Sequence, residues 1–156
     1  KVHHPKHFYA SYFTVRATDF DYTHVSKGSH YIKNFIKSVY QQGFRASVLD
    51  KSIATYLELA NEMIERGYEF EKVDLYKSHP TKFLITEKGL RPPLASLAGV
   101  GNNAALCIAE ARDVNNPFIS REDLRQRAGI GKAVIERLAD VGVLDDLPES
   151  NQIDLF

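Results

Sequence analysis

Gly99-Val100-Gly101 and Gly129-Ile130-Gly131 are the same short phrase written twice, 30 residues apart. The repeat extends beyond the glycines. At that offset Ala105 falls on Ile135, Ile108 on Leu138 and Ala111 on Val141. Repetition at a fixed period means that one supersecondary unit is used more than once. Residues 102–112 carry apolar side chains at 104, 105, 108 and 111, and Lys132 to Val141 repeats this at 134, 135, 138 and 141. That is the spacing of one helix face. Asn102 is read as the N-cap of the first of these helices.

An apolar lead-in, a glycine-flanked bend and a helix, said twice, describe a duplicated helix–hairpin–helix unit. Its chemistry is main-chain chemistry. Two glycines permit positive φ and leave the backbone bare. The helix that follows opens with unpaired N–H groups and the positive end of its dipole, which suits a phosphate. The apolar residue between the glycines turns inward as an anchor. Such a site holds a duplex by its phosphates and reads no bases. The expected phosphate-binding residues are Gly99, Val100, Gly101 and Asn102 in the first hairpin, and Gly129, Ile130, Gly131 and Lys132 in the second. Only Lys132 brings a charge; Asn102, its counterpart, is neutral. The competing reading is a protein-interaction scaffold in which both bends are tight turns and no DNA is touched.

Bulk properties narrow the field. At 156 residues, 44% hydrophobic and 26% charged, the chain can bury a core as one domain or two small ones. No apolar run reaches membrane-span length and no signal peptide opens the chain, so no membrane partner is expected. One cysteine, Cys107, cannot form an internal disulfide, which fits a cytoplasmic protein, and its apolar helical neighbours suggest a buried, inert thiol. Net charge is zero, which argues against a non-specific basic DNA coat. The charge is unevenly spread: residues 1–50 carry +4, and residues 129–156 carry −4. DNA contact in the second half must therefore be local and geometric.

The pattern along the chain gives a mainly α (α+β) fold. Helices are expected over His7–Arg16, Tyr31–Tyr40 and Ser52–Arg66, the last stopped by Gly67 at C′. Pro5 suits a first helical turn. Asp19–Gly28 reads as a loop. Phe70–Tyr76 and Lys82–Thr86 read as small strands, two or three in all, and Arg91-Pro92-Pro93 reads as a boundary. Ser120, with Asp123 three residues on, opens the next helix as a capping-box-like start. The division expected is residues 1–50, 51–90, 91–148 and a tail, 149–156. That tail ends Gln152-Ile153-Asp154-Leu155-Phe156, and its apolar residues either dock on the chain or serve a partner.

Two constellations suggest metal chemistry weakly. His3, His4 and His7 lack a fourth ligand. Asp19-Phe20-Asp21 resembles a paired-carboxylate site, but it sits in a polar loop, so a metal-dependent nuclease is a minor option. No metal site is expected, and no catalytic set stands in a recognisable frame.

Several phrases together resemble the C-terminal region of bacterial replicative DNA polymerases of family C, of the PolC type of DNA polymerase III alpha subunit. They are His3-His4-Pro5 with Phe8-Tyr9-Ala10-Ser11-Tyr12-Phe13-Thr14; Glu62-Met63 through Arg66-Gly67-Tyr68 with Asp74-Leu75 and Ser78; Pro92-Pro93, the Gly-Val-Gly hairpin, Ala111-Arg112 and Phe118 to Leu124; and the terminal pentapeptide. The likeness is weakest over residues 22–50. It implies that the chain begins inside something longer. Residues near 1–50 would end the fingers, and the hairpins would hold the duplex leaving the active site. Gln152, Ile153, Leu155 and Phe156 would bind the sliding clamp. Partners would be double-stranded DNA, the clamp and the rest of the polymerase. The chain would carry no cofactor and no catalytic residue, because the family's catalytic aspartates and their Mg lie in the palm, upstream of Lys1.

Overall fold

The computed structural model describes residues 3–17 and 19–150. It is mainly helical with one small sheet. The order is α1 (Pro5–Val15), α2 (Tyr22–Ser26), α3 (Ser29–Gln42), α4 (Val48–Glu65), β1 (Glu69–Phe70), β2 (Leu84–Ile85), β3 (Gly89–Arg91), α5 (Asn102–Ala111), α6 (Arg121–Ala128) and α7 (Lys132–Asp140), with 3-10 turns at Gly43–Arg45 and Leu94–Ser96.

α1 starts at Pro5, which needs no amide partner in a first turn. α4 is the best delimited of the early helices. The Ser47 hydroxyl accepts from the Asp50 N–H, so the helix begins four residues before the sequence-based start. At its other end Gly67 adopts φ +92°, Tyr68 N–H donates to Met63 O and Gly67 N–H to Ile64 O. These paired bonds are a Schellman stop. The expected loop over 19–28 contains a helix instead. The Asp21 carboxylate accepts from the Thr23 amide at 2.9 Å and its hydroxyl at 2.7 Å, and that cap nucleates α2. α1, α3 and α4 enclose a first core of Tyr9, Phe13, Phe20, Ile32, Tyr56, Leu57 and Met63. Phe13 and Phe20 meet edge-on with centroids 5.4 Å apart.

The sheet order is β1-β3-β2, with β3 parallel to β1 and antiparallel to β2. The long strand expected over Phe70–Tyr76 stops after Phe70. Asp74 explains why: its carboxylate accepts from the amides of Tyr76 and Lys77, turning the chain away from the ladder. At Arg91-Pro92-Pro93 the chain passes from the sheet to the second core. Gly89–Arg91 forms the middle strand, and both prolines are buried. Lys6 Nζ donates to Thr86 O and Glu87 O, tying α1 to the turn between β2 and β3.

A second core gathers Leu94, Leu97, Val100, Ile108, Phe118, Leu124, Ile130, Leu138 and Leu144, together with Val73 and Leu75 from before the prolines. α6 opens as expected: Ser120 Oγ accepts from the Asp123 N–H at 2.9 Å. Several contacts among the described residues join the parts. Arg112 donates to Leu75 O and Ser78 O; Phe118 N–H donates to the Tyr76 hydroxyl at 2.8 Å; the Tyr22 ring packs on both cores. Cys107 is half-buried on the second core rather than interred in it.

Candidate nucleic-acid interface

Each hairpin is an inward anchor between two outward glycines. Val100 is 3% exposed and Ile130 7%, whereas Gly99, Gly101, Gly129 and Gly131 all lie at the surface. The two glycines of a pair do different work. Gly99 at φ +84° and Gly129 at φ +67° occupy the left-handed region, which side chains disfavour. Gly101 (φ −70°, ψ 166°) and Gly131 (φ −77°, ψ 163°) are in ordinary extended backbone. Of the positive φ that both glycines permit, the first of each pair makes use and the second does not. A Cβ added at Gly101 or Gly131 would meet nothing within 4 Å. Nothing inside the fold asks for glycine there. What a side chain would cover is the open N-terminus of the next helix.

That N-terminus is left bare in both repeats. Gly101 caps α5 and Gly131 caps α7 with no side-chain hydrogen bond, and neither first turn contains an acid. Asn102, expected as a cap, is the first helical residue, because Gly101 already supplies the carbonyl that takes the Ala105 N–H. The contrast with α4 and α6 is direct: Ser47 and Ser120 occupy those amides, and Asp50, Glu122 and Asp123 stand in the first turns. The amides spoken for within the hairpins belong to the bend. Val100 N–H donates to Leu97 O, and Gly129 and Ile130 N–H both donate to Arg125 O. Among the described residues the first amides of the helices that follow have no such partner, and their dipoles favour an anion.

The units are not equal. α6 is a full leading helix that Gly129 ends in a left-handed cap, whereas the leading helix of the first unit shrinks to the Leu94–Ser96 turn. Pro92 and Pro93 just before it cannot donate and leave too little chain for a helix.

Charge around the hairpins follows tertiary structure. Lys132 is exposed at the second hairpin, as expected, and Arg121 and Arg125 border the same depression, with Glu122, Glu136 and Glu149 also on its rim. The sequence reading missed Arg125; its position four residues before Gly129, in the last turn of α6, was the available signal. The first hairpin shares a depression with Asp19 and Asp21. Arg137 of α7 lies against Gly99. Not every arginine here faces solvent: Arg127 pairs with Asp123 at 3.2 Å and lies over the Phe118 ring, and Arg112 is spent on backbone carbonyls.

His4 and His7 stand edge to face at 5.5 Å on the exposed side of α1, and Asp21 is a helix cap. Among the described residues no group of three or more His, Cys, Asp or Glu is placed to hold a metal ion. Nor is any of their helices long and apolar enough to cross a membrane. Gln152, Ile153, Leu155 and Phe156 lie outside the described residues.

Over all 156 residues the chain is 53% identical to DNA polymerase III PolC-type of Halalkalibacterium halodurans, 53% to that of Caldanaerobacter subterraneus and 47% to that of Bacillus subtilis. In each case all of this chain is matched and 11% of the relative, so the chain spans about a ninth of the length of the curated relatives it matches. The family described as helix-hairpin-helix motif matches residues 67–153, more than half of the chain and both glycine hairpins. The chain belongs to the helix-hairpin-helix motif family.

Proposed function

We propose that the chain is the duplex-binding C-terminal portion of a bacterial replicative DNA polymerase, gripping the phosphate backbone through its two hairpins. The observation that carries this is the pair of uncapped helix starts at Gly101 and Gly131, exposed, without acids, and behind glycines that the fold itself does not require. A polymerase needs affinity without sequence preference, and phosphate contacts supply that. The similarity to PolC-type polymerases supports the setting. Nucleotidyl transfer and its Mg would belong to the palm of the longer chain; the residues here contribute grip and position. Such a protein works in the cytoplasm, beside the rest of the polymerase.

The terminal Gln152-Ile153-Asp154-Leu155-Phe156 is the tether to the sliding clamp in this reading, with Leu155 and Phe156 as apolar anchors. A peptide so short binds weakly alone, because little area is buried and the tail must be ordered. Joined to DNA binding it gains from effective concentration.

Titration with labelled duplexes of unrelated sequence checks the grip: similar affinities and a steep fall with salt are expected. Replacing Gly101 and Gly131 with valine should weaken every duplex alike. Unchanged affinity would favour the scaffold reading, which the zero net charge suits. A chain ending at Asn151 should lose clamp binding and keep DNA binding; retention of clamp binding sinks the tether.

A further inference from the structure

Arg137 sits in the second repeat, near the end of α7, and its side chain is exposed. No ion pair or hydrogen bond with a described residue holds its guanidinium. Yet it is placed across the first repeat. A Cβ built at Gly99 would fall 2.8 Å from Arg137 Cγ and 3.2 Å from Nε. At Gly129, the matching glycine, the same Cβ would meet nothing within 4 Å. The first hairpin is thus shaped to let this one side chain lie against it. It is also the hairpin whose own helix begins with neutral Asn102, where its twin has Lys132, and whose depression is bordered by Asp19 and Asp21.

We propose that Arg137 is the cation of the first hairpin, crossing from the second repeat to bind the same phosphate that the α5 amides take. The proposal rests on the duplex-binding reading above. A guanidinium presents paired donors in a fixed fork that matches phosphate oxygens. It also offsets the two nearby carboxylates, which would otherwise repel the backbone. Each hairpin then has a cation at its helix start: Lys132 from its own repeat in the second, Arg137 from the other repeat in the first. This arrangement couples the repeats, because moving α7 moves the first phosphate site.

The test uses the full 156-residue chain and labelled duplex DNA, read by anisotropy across a salt series, with circular dichroism melts as a folding control. Arg137→Ala should weaken binding about 5- to 10-fold at low salt and reduce the slope of log K against log salt by about one. Arg137→Lys should restore the slope but not the full affinity. Gly101→Ser and Arg137→Ala should combine less than additively, since they damage one site, whereas Gly131→Ser and Arg137→Ala should add. Suppose Arg137→Ala leaves affinity and slope untouched, or adds fully to Gly101→Ser, while Gly131→Ser still weakens binding. The Arg137 assignment then fails and duplex binding stands. A wild-type chain that does not bind duplex removes both.

Discussion

Single glycines divide the interface into parts that build it and parts that leave it open. Gly99→Ala and Gly129→Ala force a side chain into the left-handed region, at about 1–2 kcal/mol each, and Gly99→Ala adds the clash with Arg137. Their melting temperatures should fall, Gly99→Ala more. Gly101→Asp and Gly131→Asp should behave in the opposite way. Aspartate is a good N-cap and favours the helix dipole, so stability should hold or rise by a few tenths of a kcal/mol. Duplex affinity should fall at least tenfold, because the carboxylate fills the amides and repels phosphate. A variant that loses stability and keeps affinity would reverse the assignment. His79 offers a pH signal. Burial first, then the charges of Lys82 and Arg112, hold its imidazole below the ordinary value, and Nδ1 accepts from the amides of Thr81 and Lys82. The unfolded chain takes up that proton at about pH 6.5. Stability from neutral His79 is therefore complete above that pH and is lost as pH falls toward the lower folded value. His79→Asn, which keeps an acceptor, should flatten the decline in melting temperature between about pH 7 and 5.

Among the elements, the short sheet and its loop depend on contacts distant in sequence. Gly89 pairs with Glu69 across the parallel register, and a Cβ there would run into the Glu69 carbonyl. Gly89→Ala should destabilise by about 1–3 kcal/mol, as overpacking does. Arg112 holds the 75–78 loop onto the start of the second core through two carbonyls, and burial lowers its guanidinium value, so its charge is partly desolvated. Arg112→Ala should cost about 1.5–3 kcal/mol, the range for hydrogen bonds to a charged group, and hydrogen exchange should quicken at Ser78. Some helix limits were legible from local signals: Ser120, Pro5 and Gly67 mark the ends they were expected to mark, while the local caps at Ser47 and Asp21 were missed. α2 was missed because a single Asx cap made it, with no apolar period long enough to see. The strand over Phe70–Tyr76 was overextended because apolar alternation does not reveal that Asp74 would bond its own turn.

In the whole molecule, two cores meet at Tyr22, whose ring touches both. Tyr22→Ala should weaken their coupling and separate the melting of the aromatic first core from that of the hairpin module. Two-step melting in the variant, against one step in the wild type, is the expected result. The interface likewise belongs to the whole. The hairpins could be read from Gly-Val-Gly and Gly-Ile-Gly because a bend, an anchor and a helix start are decided within a dozen residues. Apart from Lys132, their charges could not, since Arg137 reaches Gly99 only after α7 has packed.

The sequence by itself determined the longer helices, the duplicated bend and the inward turn of Val100 and Ile130, all of which follow from local backbone preference and apolar period. Tertiary structure decided which glycines answer to the fold and which stand open, which arginines are spent on carbonyls or carboxylates, and which acids border each hairpin. Charges and cavities are set by residues brought together across the chain, and a local pattern carries no record of those distances.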